Sequence, residues 1–307
     1  MRYIKGLELS REFYHEYGLP MLLKEFGEEM GRIAAGLTGH GSECFGFDDE
    51  VSSDHDLEPG FCIWLTDEDD REFGFRLMRA YMKLPKEYKG LKLKESSIYG
   101  TRGRGVHTIW DFYSYYLGMR RLPVTPAEWL RIPPFYLAEA TNGEVFSDPL
   151  GEFTKIREEI LHNVPEDVWK KRLASDVFEM AQKGQYNYDR CLRHGEKGAA
   201  VLSLNGYINA LISAVYIINR AHMPYYKWAL RAISDLGYYG DLKDDIEKAL
   251  TDPLNAGDFI GSSSSLIKDH LVKSYGLKDT GDYLERYSYV INDLIEDHDL
   301  RNSPVML

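Results

Sequence analysis

The chain has 307 residues, and 44% of them are hydrophobic, so it can bury a sizeable core and does not resemble a disordered protein. Its formal net charge of −12 argues against general nucleic-acid binding, which requires a cationic face. We find no apolar run near the ~20 residues that a membrane helix needs, and no secretory signal at the N-terminus, so we predict a cytoplasmic protein that uses no membrane.

The first half of the chain alternates predicted helices with short strands. Apolar residues recur there at helical or strand spacing, between breaks rich in glycine and acidic residues. In chain order we predict a helix over 10–35 that breaks at Gly18–Pro20, strands over 33–40 and 61–65, a helix over 67–83, a strand over 105–110 and a helix over 111–118.

The second half is predominantly helical. A turn at Asn142–Gly143 leads into a short strand, and after Gly151 the pattern is helical throughout. The run Ser262–Ser265 is expected to be a loop and a helix cap. We therefore predict an α+β protein, with a mixed sheet flanked by helices over residues 1–150 and an all-α helical bundle over residues 151–307.

The segment from Gly41–Ser42 to Asp54–His55–Asp56 is the most informative one, with eleven residues between Ser42 and Asp54. A Gly–Ser pair at the end of a strand lets backbone N–H groups and a hydroxyl approach a phosphate. Residues two apart in a strand point to the same side, so Asp54 and Asp56 are expected to project together. Mg²⁺ would remove the repulsion between the two carboxylates, and this arrangement is the one that nucleotidyl transfer requires.

Two families resemble this sequence. Residues 36–65 are similar to the nucleotidyltransferase domain shared by DNA polymerase beta and the aminoglycoside nucleotidyltransferases, in which a Gly–Ser is followed, after a loop, by an acid, any residue and an acid. Most of residues 10–240 resembles a bacterial family, domain of unknown function 4037. The similar stretches are GSECFGFDDEVSSDHDLEPGFCIWL, QYNYDRCLRHGEKGAAVLSLNGYINALISAVYIINR and MPYYKWALRAI.

The resemblance implies roles for individual residues. The pair Gly41–Ser42 would contact the triphosphate of a nucleotide, and Asp54 and Asp56 would bind Mg²⁺. The superfamily usually adds a third acid on a later strand, as a metal ligand or a base, but the matching strand here holds His107. His107 is a candidate base because imidazole titrates near neutral pH, and Asp111 would substitute if the strand extended that far.

The helical half offers four cations for substrate and phosphate contacts. Arg190 and Lys197 lie around the predicted break before a long helix, where free N–H groups at the helix start would add to the positive charge. Lys227 and Arg231 are four residues apart and therefore share one helix face. Solvated surface charge is the alternative interpretation of these residues.

Together these features predict Mg²⁺-dependent transfer of a nucleoside monophosphate from a nucleoside triphosphate, expected to be ATP, to a hydroxyl or amine of a small-molecule acceptor. The nucleotide would bind between the two predicted domains. One alternative is AMP transfer to a protein partner, and another is a nucleotide-binding protein that has lost catalysis together with its third acid. A homodimer is compatible with the sequence, whereas the net charge disfavours a nucleic-acid acceptor.

Overall fold

The computed structural model describes residues 4–50, 58–92 and 104–307. The chain forms two compact units, and neither is a single stretch of sequence. The first unit comprises Met1–Pro123 and Ile132–Asn163, and the second comprises Val124–Arg131 and Val164–Leu307. This division differs from the boundary near residue 150 that the sequence suggested, because the helix that follows Gly151 packs inside the first unit.

A mixed sheet of short strands organises the first unit. In chain order the strands are β1 (Ala34–Leu37), β2 (Cys62–Leu65), β3 (Glu87–Tyr88), β4 (Leu91–Lys92), β5 (Gly105–Thr108) and β6 (Glu144–Ser147). β3 and β4 pair separately, and the other four form a sheet in the order β5–β2–β1–β6. β1 is antiparallel to β2 and β6, whereas β2 is parallel to β5. The end of β1 and the starts of β2 and β5 therefore lie at the same end of the sheet.

Helices surround this sheet in the first unit, and their apolar faces form its core. They are α1 (Gly6–Phe13), α2 (Leu19–Glu25), α3 (Asp67–Asp69), α4 (Phe75–Tyr81), α5 (Ile109–Leu117), α7 (Pro134–Thr141) and α8 (Glu152–His162). The helix α6 (Pro126–Leu130) belongs to the second unit. The sequence predicted most of these helices but not α7, which follows Pro133 and begins at Pro134. The four residues of β1 and the four of β2 are all buried.

The predicted break at Gly18–Pro20 is wrong. A π-helical turn over Tyr14–Gly18 joins α1 directly to α2, so the chain remains helical there. Gly18 faces the ring of Phe61, which leaves no room for a side chain. Pro20 is the second residue of α2 and follows this π-helical turn directly.

The second unit contains only helices. They are α6 (Pro126–Leu130), α9 (Glu166–Met180), α10 (Asp189–Arg193), α11 (Lys197–Ile218), α12 (Tyr226–Ala232), α13 (Leu242–Thr251), α14 (Gly257–Tyr275), α15 (Glu285–Asp293) and α16 (His298–Asn302). α9 packs against both α11 and α15. The coarse prediction of a mixed α/β first half and a helical second half is confirmed.

The serine run Ser262–Ser265 is not a loop, because it lies inside α14. Ser263 and Ser264 are buried, and their hydroxyls lie 2.7 and 3.0 Å from the hydroxyl of Tyr207 on α11. The same Tyr207 hydroxyl donates to the backbone oxygen of Ile260 at 3.2 Å. These bonds satisfy polar groups that would otherwise be costly in the core.

The prediction that no apolar segment is long enough to cross a membrane is wrong for α11. With 22 residues and a mean hydropathy of 1.7, it is long and apolar enough to cross a membrane by length and composition. More than half of that apolar stretch, 56%, is buried inside the structure. A buried core helix of a soluble protein passes the same test, so this feature does not by itself indicate a membrane protein.

We predict that Tyr207→Phe lowers the free energy of unfolding by about 1–3 kcal/mol, because it leaves buried hydroxyl and carbonyl groups short of a partner. Urea unfolding followed by circular dichroism would measure this loss. The control is Tyr238→Phe, whose side chain is 58% exposed and should change stability by less than about 0.5 kcal/mol. Equal stability of the two variants would contradict the prediction.

Candidate functional site

The chain leaves β1 in a mostly buried loop, residues 38–45, which we call the β1 loop. Thr38 is 1% exposed, and Gly39 has a φ of +138°, which residues with a side chain rarely adopt. Gly41 then precedes a short 3-10 turn over Ser42–Phe45, and Ser42 is 9% exposed. The predicted phosphate-binding pair thus lies in a structured turn at the end of β1.

Asn142 holds one side of the β1 loop. Its side-chain oxygen accepts hydrogen bonds from the backbone N–H of Gly39 at 2.9 Å and from the hydroxyl of Thr38 at 3.0 Å. Its side-chain nitrogen donates to the carbonyl oxygen of Gly39 at 2.7 Å. The next residue, Gly143, donates its backbone N–H to Cys44 at 2.9 Å. Asn142 and Gly143, interpreted from the sequence only as a turn, therefore hold the start and the end of the loop respectively.

Arg104 holds the other side of the β1 loop. Its guanidinium lies 3.2 Å from a carboxylate oxygen of Glu43 and 3.1 Å from one of Glu58, and its Nε donates to the carbonyl of Gly60 at 3.3 Å. The three charged side chains are only 11%, 7% and 16% exposed. Burial alone lowers the pKa of Arg104, but the charges of Glu43 and Glu58 outweigh it and raise that pKa. Arg104 therefore stays charged and joins the β1 loop to the residues before β2 and β5.

Gly41 is required by the position of Glu43. A Cβ atom at Gly41 would overlap the carboxylate group of Glu43. That carboxylate is held in place by Arg104, so it cannot easily move away. The glycine of the Gly–Ser pair thus serves the packing of an ion pair in addition to any role in phosphate contact.

The two predicted metal ligands, Asp54 and Asp56, lie outside the described residues. Within residues 4–50, 58–92 and 104–307, no group of three or more His, Cys, Asp or Glu side chains is arranged to hold a metal ion. A pair of carboxylates is a donor set that suits Mg²⁺, which takes oxygen ligands and retains several waters and phosphate oxygens. The metal site therefore remains a prediction from the sequence.

His107 lies on β5, as predicted, opposite Trp64 of β2. Its Nε2 atom is buried and has no hydrogen-bond partner among the described residues. Burial lowers the pKa of His107, and this effect outweighs the charge of Asp111 and a hydrogen bond to the backbone of Arg104, both of which raise it. The imidazole is therefore neutral near pH 7 and has a lone pair available to accept a proton.

Asp111 does not lie on the strand. β5 ends at Thr108, whose hydroxyl accepts the backbone N–H of Asp111 at 3.0 Å and so caps α5. The Asp111 carboxylate is exposed and pairs with Arg120, which also bonds Asp67 at 2.6 Å. The condition under which Asp111 was expected to replace the third acid, a longer strand, is not met. Asp111 is a residue of the first turn of α5 in a surface ion-pair network.

The four predicted phosphate-binding cations of the second unit fall into two separate pairs. Arg190 lies on α10 and donates to the hydroxyl of Tyr186 at 2.7 Å, and Lys197 is the first residue of α11. Lys227 and Arg231 lie on α12, which contacts the far end of α11 through a hydrogen bond from Tyr216. Because 22 residues of α-helix span about 33 Å, the two pairs cannot contact one triphosphate together. All four side chains belong to exposed residues.

We predict that Arg104→Met lowers the free energy of unfolding by about 3–5 kcal/mol near neutral pH, because it removes the cation that pairs with the buried carboxylate of Glu43 and with that of Glu58. The loss should shrink as the pH is lowered, since protonated carboxyl groups need no counter-ion. Guanidinium unfolding at several pH values would measure both effects.

Arg120→Met is the matched control for Arg104→Met. Arg120 also bridges two carboxylates, those of Asp67 and Asp111, but its side chain is 47% exposed. Solvent screens such a pair, so we expect a much smaller loss of stability. A loss at Arg104 no larger than that at Arg120 would show that the buried ion pair does not hold the loop.

We predict that the His107 imidazole titrates below ~6.5, the value of an unperturbed histidine. Because the folded state binds this proton more weakly than the unfolded state, the contribution to stability is complete above ~6.5 and decreases as the pH falls towards the folded pKa. Proton NMR of the ring signals across this range, with the resonance assigned by its loss in His107→Gln, would measure the midpoint. A midpoint at or above the unperturbed value would contradict the burial argument.

One comparison with known proteins finds a family model that matches part of the chain. Residues 129–229 match the family model of a domain of unknown function, DUF4037. The matched region contains Asn142 and the helices α9 to α11, whereas the β1 loop and Arg104 lie before it. No curated protein matches the chain. The match over residues 129–229 is the family that the resemblance of the sequence named, and over those residues the chain is similar to the DUF4037 family.

Proposed function

We propose that this protein is a Mg²⁺-dependent nucleotidyltransferase, which moves a nucleoside monophosphate from an NTP to a hydroxyl or amine of an acceptor. The observation that carries the proposal is the antiparallel pairing of β1 and β2. It brings the chain leaving β1, with Gly41–Ser42, to the same end of the sheet as the chain entering β2. This is the order of strand, Gly–Ser turn and second strand that the nucleotidyltransferase resemblance requires.

The Arg104 ion pairs strengthen this argument. Glu43 is next to Ser42, and Glu58 follows Asp54 and Asp56 by four and two residues in the sequence. Because the Arg104 guanidinium bonds both glutamates, the Gly–Ser turn and the segment before β2 that contains Glu58 are held close together. We infer that Asp54 and Asp56 act beside Ser42 on the same nucleotide.

The proposed reaction is a displacement at the α-phosphorus. The acceptor oxygen or nitrogen forms a bond to that phosphorus, the bond to the bridging oxygen of the β-phosphate breaks, and pyrophosphate leaves with the electron pair. Ser42 and the backbone of its turn would bind the phosphates, and Asp54 and Asp56 would hold Mg²⁺, which supplies neutralisation of charge on the transferred group. The acceptor proton passes to a base, for which His107 is the candidate from the sequence.

One alternative is also supported by an observation. β5 carries Gly105, Val106, His107 and Thr108 and therefore no acid, and Asp111 lies beyond the strand in α5. A protein that binds the nucleotide without transferring it would have this composition. ATP binding without release of pyrophosphate would favour that alternative.

We predict that the protein binds ATP more tightly with Mg²⁺ than with a chelator, as measured by titration calorimetry. Asp54→Asn and Asp56→Asn should remove most of this Mg²⁺ dependence, whereas Ser42→Ala should weaken binding under both conditions. Turnover in each aspartate variant should fall about 10²–10³-fold, because charge stabilisation at the phosphate is lost.

Asp244→Asn, an exposed substitution in the first turn of α13, is the control and should bind ATP as the wild type does. Absence of binding by the wild type to every NTP tested with Mg²⁺ would refute the proposed function. Binding that is insensitive to Asp54 and Asp56 would refute their assignment as metal ligands.

A further inference from the structure

The buried carboxyl group of Glu139, on α7, has no role in the mechanism described above. Glu139 is 7% exposed and lies within a run of five consecutive buried residues, Leu137–Thr141. In the described part of the chain its carboxylate forms neither a hydrogen bond nor an ion pair. An unpaired buried carboxylate is costly, so a group of this kind is often retained for a functional reason.

Glu139 lies against the β1 loop. Its backbone oxygen accepts a hydrogen bond from the hydroxyl of Thr38 at 3.2 Å. Asn142, at the end of α7, holds Gly39 through two further hydrogen bonds. The last turn of α7 therefore packs on the residues that lead into Gly41–Ser42.

Tyr116 provides a second unpaired polar group at the same place. The residue is 2% exposed, and its hydroxyl has no hydrogen-bond partner among the described residues. That hydroxyl lies 3.2 Å from where a Cβ atom of Gly39 would be. Burial and the charge of Glu139 both raise the pKa of Tyr116, so the phenol keeps its proton and remains a hydrogen-bond donor.

We propose that Glu139 is the catalytic base that takes the proton from the acceptor, while the Tyr116 hydroxyl donates a hydrogen bond to the same acceptor atom. This inference rests on the proposed nucleotidyl transfer. As the acceptor atom bonds the α-phosphorus and pyrophosphate leaves, the acceptor proton passes to a carboxylate oxygen of Glu139. One small group with both a proton to give and a lone pair, such as a hydroxyl or an uncharged amine, satisfies both side chains.

The chemistry of the two candidate bases favours Glu139 over His107. Burial raises the pKa of Glu139 to about 7, so its ionised form is a stronger base than an ordinary carboxylate and is still populated near neutral pH. Burial lowers the pKa of His107, which makes it a weaker base. General-base catalysis is most efficient when the pKa of the base lies near the working pH.

Glu139→Gln tests the proposal because it preserves size and removes the proton-accepting group. The assay is the release of pyrophosphate and of labelled AMP products from α-labelled ATP with Mg²⁺, with glycerol as the hydroxyl probe and water as the background acceptor. We expect turnover to fall about 10²–10⁴-fold in Glu139→Gln, with ATP affinity unchanged by calorimetry. Tyr116→Phe should show a smaller loss, and the exposed Glu152→Gln should behave as the wild type.

Two further readouts separate a base from a residue with a merely structural role. The wild-type rate should rise with pH through about 7 and then level off, and the residual rate of Glu139→Gln should lack this rise. Carbon NMR of side-chain carboxyl groups in the unsubstituted protein should show Glu139 titrating at about 7. His107→Gln should retain the same rise in rate with pH.

The outcomes distinguish this inference from the proposed function. If Glu139→Gln binds ATP and its turnover is within roughly threefold of the wild-type value, the assignment of Glu139 as the base is wrong. The proposal of nucleotidyl transfer would be unaffected by that result. Titration of Glu139 in the ordinary range of glutamates would also overturn the assignment. ATP binding without pyrophosphate release by the wild type would overturn it in favour of the inactive alternative, and absence of ATP binding would overturn both proposals.

Discussion

One buried guanidinium determines the arrangement of the candidate site. Arg104 bonds Glu43 in the β1 loop and Glu58 before β2, and it is itself the residue before β5. Three stretches that are distant in sequence meet at this side chain, at one end of the sheet. Two carboxylates this close would repel each other in the protein interior, and the cation between them removes that cost. The ion pairs are therefore a condition for the loop conformation.

The loop is held differently on its two sides. On one side the contacts are ionic, through Arg104. On the other they are neutral hydrogen bonds, which the side-chain oxygen of Asn142 accepts from Thr38 and Gly39. A turn fixed in this way loses little further freedom when a ligand binds, which is how preorganised sites gain affinity and rate. The rigid geometry is thus consistent with a phosphate-binding role for Ser42.

The sequence predicted the elements better than it predicted the contacts. Apolar runs between glycines located β1, β2 and β5 within a few residues, because local hydrophobic patterning specifies buried strands directly. The serine run in α14 was misjudged, because the helix is stabilised there by Tyr207, a residue far away in the chain. Asn142 was interpreted as a turn residue, yet it bonds Gly39, which is 103 positions earlier. Local patterns in a single sequence do not indicate contacts between residues that are so far apart in the chain.

The same limit applies to the charged residues of the site. The sequence favoured His107 because it occupies the strand expected to carry an acid, but nothing near Glu139 or Arg104 distinguishes them from other charged residues. Only burial distinguishes them, and burial is a property of the fold. The four cations show the converse, because favourable local spacing suggested a shared role for two pairs that lie near opposite ends of α11, a helix about 33 Å long.

The interleaving of the two units affects how the protein is made. The chain crosses between units at residues 123–124, 131–132 and 163–164, so α6 belongs with helices that are synthesised later. As the polypeptide leaves the ribosome, the first unit is incomplete until α7, β6 and α8 have emerged. During the same period α6 has been synthesised but α9, the helix against which it packs, has not. No single cut in the chain separates the two units intact. Fragment exchange or gene fission near residue 150 would therefore cut through the first unit and would not separate it from the second.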